Sequence, residues 1–421
     1  MKGRIKFTFT LLYVLLLFFV LFAYAMFQGG FVSWFLFYSF VPVQFYMILL
    51  LFYPISRWKI ERKLSKRVIQ AGDSVRVDIF INRKVPFPIY YCIMEEVVPA
   101  SLHRKDTHID KFKHMDRPDA LLEQRIVKKI AFPWFSRTIK FHYSLSQIPR
   151  GEHHFHAIKV KTGDFFGFIK KEHQFDLTNH VLAYPFKREI KLKDKVSSFE
   201  EGVTSSFQTH ARTTNVVSGV REYAPGDRFS LIDWKTTARK NAVMTKEYEQ
   251  EKSTDVLFVL DSVFYHGLNP LSYEASVELA TSIFGALKTS TTQLAFMSIG
   301  SKKAFFPYHQ DPAKHGAVNR FLATVRPGKA TAFPEQLETE MQKLSDGFVM
   351  IIVLTNFNEK VTQTVKRLRL KSKRVILFFV KPASTITEVD KRMMQELSLG
   401  GVIVNLITEE QLMKRKFEVN T

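Results

Sequence analysis

A single cysteine, Cys92, stands among 421 residues, so neither an intrachain disulfide nor a cysteine metal cluster is available. That fits a reducing compartment. Acid is also in short supply: 40 Asp and Glu face 61 Lys and Arg, a formal charge of +21. A basic surplus suits nucleic acid, an anionic membrane surface or plain solubility. The chain has no RNA-binding signature, zinc finger or basic helix followed by heptads, so nucleic acid is not expected. It also lacks a P-loop, a nucleophile elbow and a zinc-binding motif.

What is abundant is phenylalanine, 40 residues, many of them in the first 55 positions. Phe7 to Phe27 carries no charge, and a second apolar stretch follows at once and ends at Tyr53. Each is long enough for a hydrocarbon core of ~30 Å, which takes about 20 helical residues. Gln28-Gly29-Gly30 is the expected turn, and Pro42 is tolerated in a membrane helix. Lys2, Arg4 and Lys6 precede the first stretch, and Arg57, Lys59, Arg62, Lys63, Lys66 and Arg67 follow the second. The turn between is uncharged, so the positive-inside rule places both ends and the following domains in the cytoplasm. Ala23-Tyr24-Ala25 resembles a signal cleavage site, but the apolar stretch is longer than a typical signal core. The expectation is a two-span hairpin over 1–56 in the cell membrane, with a basic juxtamembrane linker at 57–67. A cytoplasmic basic body beside anionic lipid gives the surplus charge a use.

Residues 68–190 change pattern. Val75, Val77, Ile79 and Ile81 alternate with polar residues, the period of a half-buried strand. Further short alternating runs separated by turn residues predict a β-sandwich-like domain. The polar segment from Arg104 to Arg125 reads as a loop or insertion. His142, His153, His154 and His156 invite a metal reading, but no cysteine or carboxylate pair completes it, and alternation puts His153 and His154 on opposite faces.

From Asp255 the pattern changes again. DVLFVLD, QLAFMSIG, FVMIIVL, RVILFFV and GVIVNLI are short apolar runs alternating with helical periods. They predict a doubly wound, mostly parallel sheet over 253–421, with any ligand beyond the strand C-termini. The first run ends at Asp261. This unit resembles a von Willebrand factor A domain. The resemblance implies a divalent cation held by Asp-x-Ser-x-Ser, a distal Thr and a later Asp. Here Asp261 is followed by Val263 and Tyr265 in the serine places, Asn356 stands for the later Asp, and Thr331 matches the distal Thr. One carboxylate, one amide and one hydroxyl are a poor octahedral set for Mg²⁺, so no cofactor is expected.

The connecting segment, 191–252, contains the densest charge. In REYAPGDRFSLIDWKTTARKNAVMTKEYE, Pro225-Gly226 is a turn, and Asp227 is positioned to cap a helix through Phe229, Ile232 and Ala238. A strand from Val243 follows. Mixed-sign charges can neutralise one another around a buried Trp234 and fix one geometry, or the same residues form a docking face. The same residues carry a second resemblance. Arg221, Tyr223, Gly226, Asp227, Ile232, Asp233, Trp234, Lys235, Ala238, Arg239 and Glu247 match the signature of bacterial domain-of-unknown-function family 58. The resemblance extends over nearly the whole chain. It implies a MoxR-type AAA+ ATPase as partner, often with a transglutaminase-like membrane protein, and no enzyme activity. The resulting expectation is a membrane-anchored, non-catalytic adaptor in assembly or remodelling of envelope-associated complexes. Two alternatives stay open: a divalent-metal-dependent protein binder using Asp261, and a metal-dependent hydrolase using Asp227, Asp233 and Glu247.

Overall fold

The computed structural model describes residues 2–192, 217–224, 227, 229–240, 242–248, 255–287, 294–301, 303–307, 312–329, 333–343, 347–414 and 416–419. The chain divides into two compact units, residues 1–186 with 319–325, and residues 187–318 with 326–421.

The first unit opens with α1 (Lys2–Gln28) and α2 (Phe31–Phe52). Gly29 makes the turn at φ +62°, a left-handed conformation that glycine adopts without a Cβ clash. Ser33 Oγ accepts from the Gly30 N–H at 3.2 Å and closes the start of α2. The helices face each other through rings, with Phe37 against Phe18 and Phe22. Their outer surfaces remain apolar and exposed: Phe9 is 71% and Phe31 86% accessible. Phe7–Gln28 and Phe31–Phe52, 22 residues each, are long and apolar enough to cross a membrane.

Eight strands follow: β1 (Lys59–Leu64), β2 (Val68–Gln70), β3 (Val75–Asn82), β4 (Tyr91–Glu96), β5 (Val127–Ala131), β6 (Thr138–Leu145), β7 (Gly151–Gly163) and β8 (Lys170–Tyr184). They form two sheets, ordered β1-β3-β6 and β2-β8-β7-β4-β5. All pairs are antiparallel except β2 with β8. The alternation expected from the sequence sets the buried faces. Val77, Ile79, Ile81 and Phe141 from one sheet share a core with Met94, Phe155, Val160 and Val181 from the other. The stretch expected as a basic linker, 57–67, instead supplies β1, because Ile60 and Leu64 have this core to pack against. Arg62 reaches across: its Nη2 meets Glu96 Oε1 at 2.6 Å, and its Nη1 donates to Leu177 O and Asn179 Oδ1. Glu96 also accepts from Tyr143 at 2.7 Å. These bonds to the two Nη groups offset part of the cost of taking the charge pair out of water, and Arg62 Nε stays buried without a partner. His153 is buried between Ser101 and Pro149 O, whereas His154 and His156 are exposed, as alternation requires.

The second unit contains β9 (Glu189–Leu192), β10 (Val217–Glu222), α3 (Trp234–Lys240), β11 (Met244–Tyr248), β12 (Val256–Ser262), α4 (Pro270–Leu287), β13 (Leu294–Gly300), β14 (Ala304–Phe306), the first part of α5 (Pro312–Thr324), whose residues from Asn319 on belong to the first unit, α6 (Phe333–Met341), β15 (Val349–Leu354), α7 (Glu359–Lys371), β16 (Arg374–Val380), α8 (Glu388–Leu399), β17 (Ile403–Ile407), α9 (Glu409–Leu412) and β18 (Lys416–Val419). Its main sheet has the order β14-β13-β12-β15-β16-β17, parallel except at the β14 edge. β12 is buried along its whole length, which explains its unbroken apolar run. α6, α7 and α8 pack one face through Leu337, Val365 and Leu397, and Phe284 of α4 meets Phe296 from the other. The chain steps from β12 to β13 on one side and later to β15 on the other. The C-terminal end of β12 is therefore the topological switch, where open α/β sheets place ligands.

Candidate functional site

Two places in the second unit gather the residues singled out by the sequence. The first is the charged stretch. β10 and β11 pair antiparallel, and the segment between them returns as a turn, a single 3₁₀ turn at Phe229–Leu231 and α3. Arg221 grips Asp227 with both nitrogens, at 2.9 and 2.7 Å, and the Ala224 N–H adds a third bond at 3.0 Å. These bonds, Arg221 first, hold the Asp227 carboxyl below its ordinary pKa. Asp227 thus clamps a turn and is not the cap of one continuous helix, as the sequence suggested. The cap is Asp233, which accepts from Lys235 N at 3.1 Å and Thr236 N at 3.3 Å and is likewise held low, chiefly by the Thr236 N–H. Asp233 N donates to Met244 O, and Met244 N donates to Thr237 Oγ1, so α3 is stitched to β11. The helix breaks at Asp233 because Ile232 bridges to Thr245 and buries itself there.

Of the two arrangements the sequence left open for Trp234, the exposed one is found: it is 68% exposed. Phe229, 75% exposed, stacks on Tyr223 at 6.0 Å. Lys235 and Arg239, one turn apart on α3, are exposed too. The stretch is therefore a braced platform with aromatic and cationic groups facing solvent. Gly226 and the side chain of Glu247 lie outside the described residues. Asp227 and Asp233 are each consumed by local bonds, and among the described residues no group of three or more His, Cys, Asp or Glu is placed to hold a metal.

The second place is the switch point. Asp261 is 2% exposed, and burial pushes its carboxyl up to about 7. Oδ1 accepts from Val263 N at 2.9 Å and Oδ2 from the Tyr265 hydroxyl at 2.9 Å. Burial and the neighbouring Asp261 raise the Tyr265 pKa in turn. The two residues in the serine places of a cation site thus supply a backbone N–H and a phenol that close over the acid. This donor set does not fit an octahedral cation, which needs oxygens aimed outward. Asn356 lies just past the end of β15, and Thr331 lies outside the described residues. Sequence reasoning missed the groups beside Asp261: Ser262 Oγ lies 3.0 Å from Ser298 Oγ and accepts from Tyr273 at 3.2 Å. Their signal was present, since Ser262 and Ser298 are polar residues at the ends of otherwise apolar strands. Arg188 was missed as well. It is buried against Glu278 at 3.3 Å and donates to Leu412 O, joining α4 to the start of this unit.

Two apolar helices, a mostly β region and an α/β region carrying a braced charged platform define a class of architecture. The comparisons give it a family. Residues 219–417 match the family described as "Protein of unknown function DUF58". The uncharacterized protein YeaD of Bacillus subtilis (strain 168) is 34% identical over 324 residues, covering 77% of this chain and 76% of that protein. The chain belongs to this family. Among solved structures, the PilB minor pilin from Streptococcus sanguinis covers 77% of this chain and 85% of its own at 6% identity, with a TM-score of 0.28. A likeness of that size carries no argument about fold or function.

Proposed function

We propose that this protein is a membrane-anchored, non-catalytic adaptor that presents its von Willebrand A-like C-terminal unit from the cytoplasmic face to a MoxR-type AAA+ ATPase. A transglutaminase-like membrane protein is a further companion, and the process served is assembly or remodelling of envelope-associated complexes. The partner and process follow from the family resemblance, and the basic flanks of the two apolar helices support the orientation.

The observation that carries the adaptor reading is the contrast between the two candidate places. The acid at the switch point is closed by its own chain through Tyr265, while the platform leaves Trp234 and Phe229 in solvent. Trp and Arg are among the residues enriched in binding hot spots. Asp227 and Asp233 serve as clamp and cap, which leaves them no lone role as acid or base.

The test is affinity capture from detergent-solubilised membranes of the native host, with co-purifying proteins identified by mass spectrometry. Wild type should retain an AAA+ ATPase, and Trp234→Ala should lose most of it while expressing and folding normally. Equal capture by both would remove the platform from the reading, and absence of any AAA+ ATPase from the wild-type sample would overturn the partnership. Turnover of a substrate by the purified chain, lost in Asp233→Ala, would contradict the non-catalytic assignment.

A further inference from the structure

We infer that the β region of the first unit is itself a membrane-surface module: a connected aromatic patch on it enters the same lipid interface in which α1 and α2 end. The inference rests on the reading of these helices as membrane spans.

The patch is continuous. Tyr90 meets Phe132 at 5.7 Å, Trp134 at 5.9 Å and Phe165 at 4.9 Å. Phe165 meets Phe166, Phe166 meets Phe168, and Phe168 meets Tyr13 of α1 at 5.9 Å. Phe132, Trp134, Phe165 and Phe166 are each more than half exposed. A soluble surface rarely leaves so many large rings together in water. The ring-to-ring path ends on an apolar helix, so the surface that covers the helix is the one that reaches the patch.

Depth can be read from the helix. Tyr13 lies six positions inside the apolar stretch that begins at Phe7, and Tyr46, whose hydroxyl donates to Pro88 O at 2.8 Å, lies six positions before its partner's end at Phe52. At about 1.5 Å per residue both contacts sit roughly 9 Å inward from the ends of the apolar stretches. That matches the ~5–10 Å to which interfacial aromatic and apolar groups penetrate. Tyr and Trp are enriched near the membrane–water interface because the ring is apolar and the tip polar.

The rings are also held out deliberately. Buried Asp164 accepts from Phe166 N at 3.1 Å and Ile169 N at 2.5 Å, and Gly167 takes φ +77°, so the 165–168 loop is a braced turn. Buried Arg83 donates to Phe87 O, Trp134 O and Ser136 O, tying the two neighbouring loops together. Ile169 packs on Val14, Met47 and Leu50 of the helices, and Lys171 Nζ donates to Leu51 O at 2.9 Å. The loop is thereby fixed to the helix ends. Fixing the rings at one height relative to the ends of α1 and α2 is what insertion at a single depth in a bilayer uses.

The test uses the full chain in nanodiscs of phosphatidylethanolamine and phosphatidylglycerol. Cys92 is buried, with its thiol pushed up to about 12, so only an introduced cysteine takes a nitroxide label. Three sites are compared by oxygen and nickel-chelate accessibility: Phe166→Cys on the patch, Leu16→Cys on the outer face of α1, and Leu370→Cys, 89% exposed on α7. The patch label should show an oxygen-to-nickel ratio several-fold above Leu370→Cys and below Leu16→Cys. A patch ratio equal to that of Leu370→Cys, with Leu16→Cys in lipid, would overturn the surface module and leave the spans standing. An aqueous ratio at Leu16→Cys would overturn the spanning reading and the inference with it.

Discussion

The Tyr265 hydroxyl donates to Oδ2 of Asp261 at 2.9 Å, across the C-terminal end of β12. The bond replaces an open ligand with an internal one. Tyr265→Phe removes a hydrogen bond to a buried acid that, among the described residues, keeps the bond from Val263 N. Loss of such a bond costs about 1–2 kcal/mol. Urea unfolding of the full chain should show a lower midpoint for this variant, and its Asp261 pKa should rise further because a bond favouring the carboxylate is gone.

Asp261 also gives stability a pH dependence. Its carboxyl sits at about 7 in the folded chain, against about 4 for an ordinary aspartate. Between these values the folded state holds the proton more tightly than the unfolded state. The associated stability is complete below about pH 4 and is lost as pH rises to about 7, at up to about 1.4 kcal/mol per pH unit. Asp261→Asn mimics the protonated form. From pH 5 to pH 8, urea unfolding should show wild type losing stability relative to Asp261→Asn, the other titrating groups cancelling in the signed comparison.

Arg62 and Glu96 link the two sheets of the β region at zero side-chain exposure. Arg62→Ala leaves a carboxylate in a dry core whose burial already raises its pKa, and breaking such a pair costs about 3–5 kcal/mol. Replacing both partners with Met restores most of that loss. Thermal unfolding of the single and double variants decides this, and equal destabilisation of both would show that the pair contributes stability of its own.

The proposed role of the platform predicts different effects of its capping and its exposed residues on stability. Asp233→Ala removes the cap of α3 and costs about 1 kcal/mol. Trp234 is exposed, so Trp234→Ala should change stability by less than about 0.5 kcal/mol. Circular dichroism melts of both variants check these values. A Trp234→Ala loss near that of a core residue would mean that the ring packs in the functional state.

The physical signals in the sequence were uneven. Strand alternation at Val75–Ile81 and the apolar runs around Asp261 were plain, because each strand buries a face whose composition repeats along it. The two apolar helices were equally legible by length. β1 was hidden because Lys59, Arg62 and Lys63 read as a charged linker, and only the cross-sheet partner Glu96 makes Arg62 a core residue. Trp234 was undecidable from sequence, because tryptophan among charges suits a buried centre or a docking face equally, and the apolar anchors of the stretch are Ile232 and Met244. The closure of Asp261 needed geometry, since a tyrosine four residues along can point away from an acid as readily as toward it.

The most direct measurement is AAA+ ATPase capture by the full chain with a non-hydrolysable nucleotide held constant, comparing wild type, Tyr265→Phe and Asp261→Asn over a range of free Mg²⁺ that keeps the ATPase loaded. A closed switch point requires equal capture by all three at every Mg²⁺ level. Capture by wild type that rises with Mg²⁺ and disappears in the folded Asp261→Asn variant would contradict it, and would make Asp261 a metal-dependent contact.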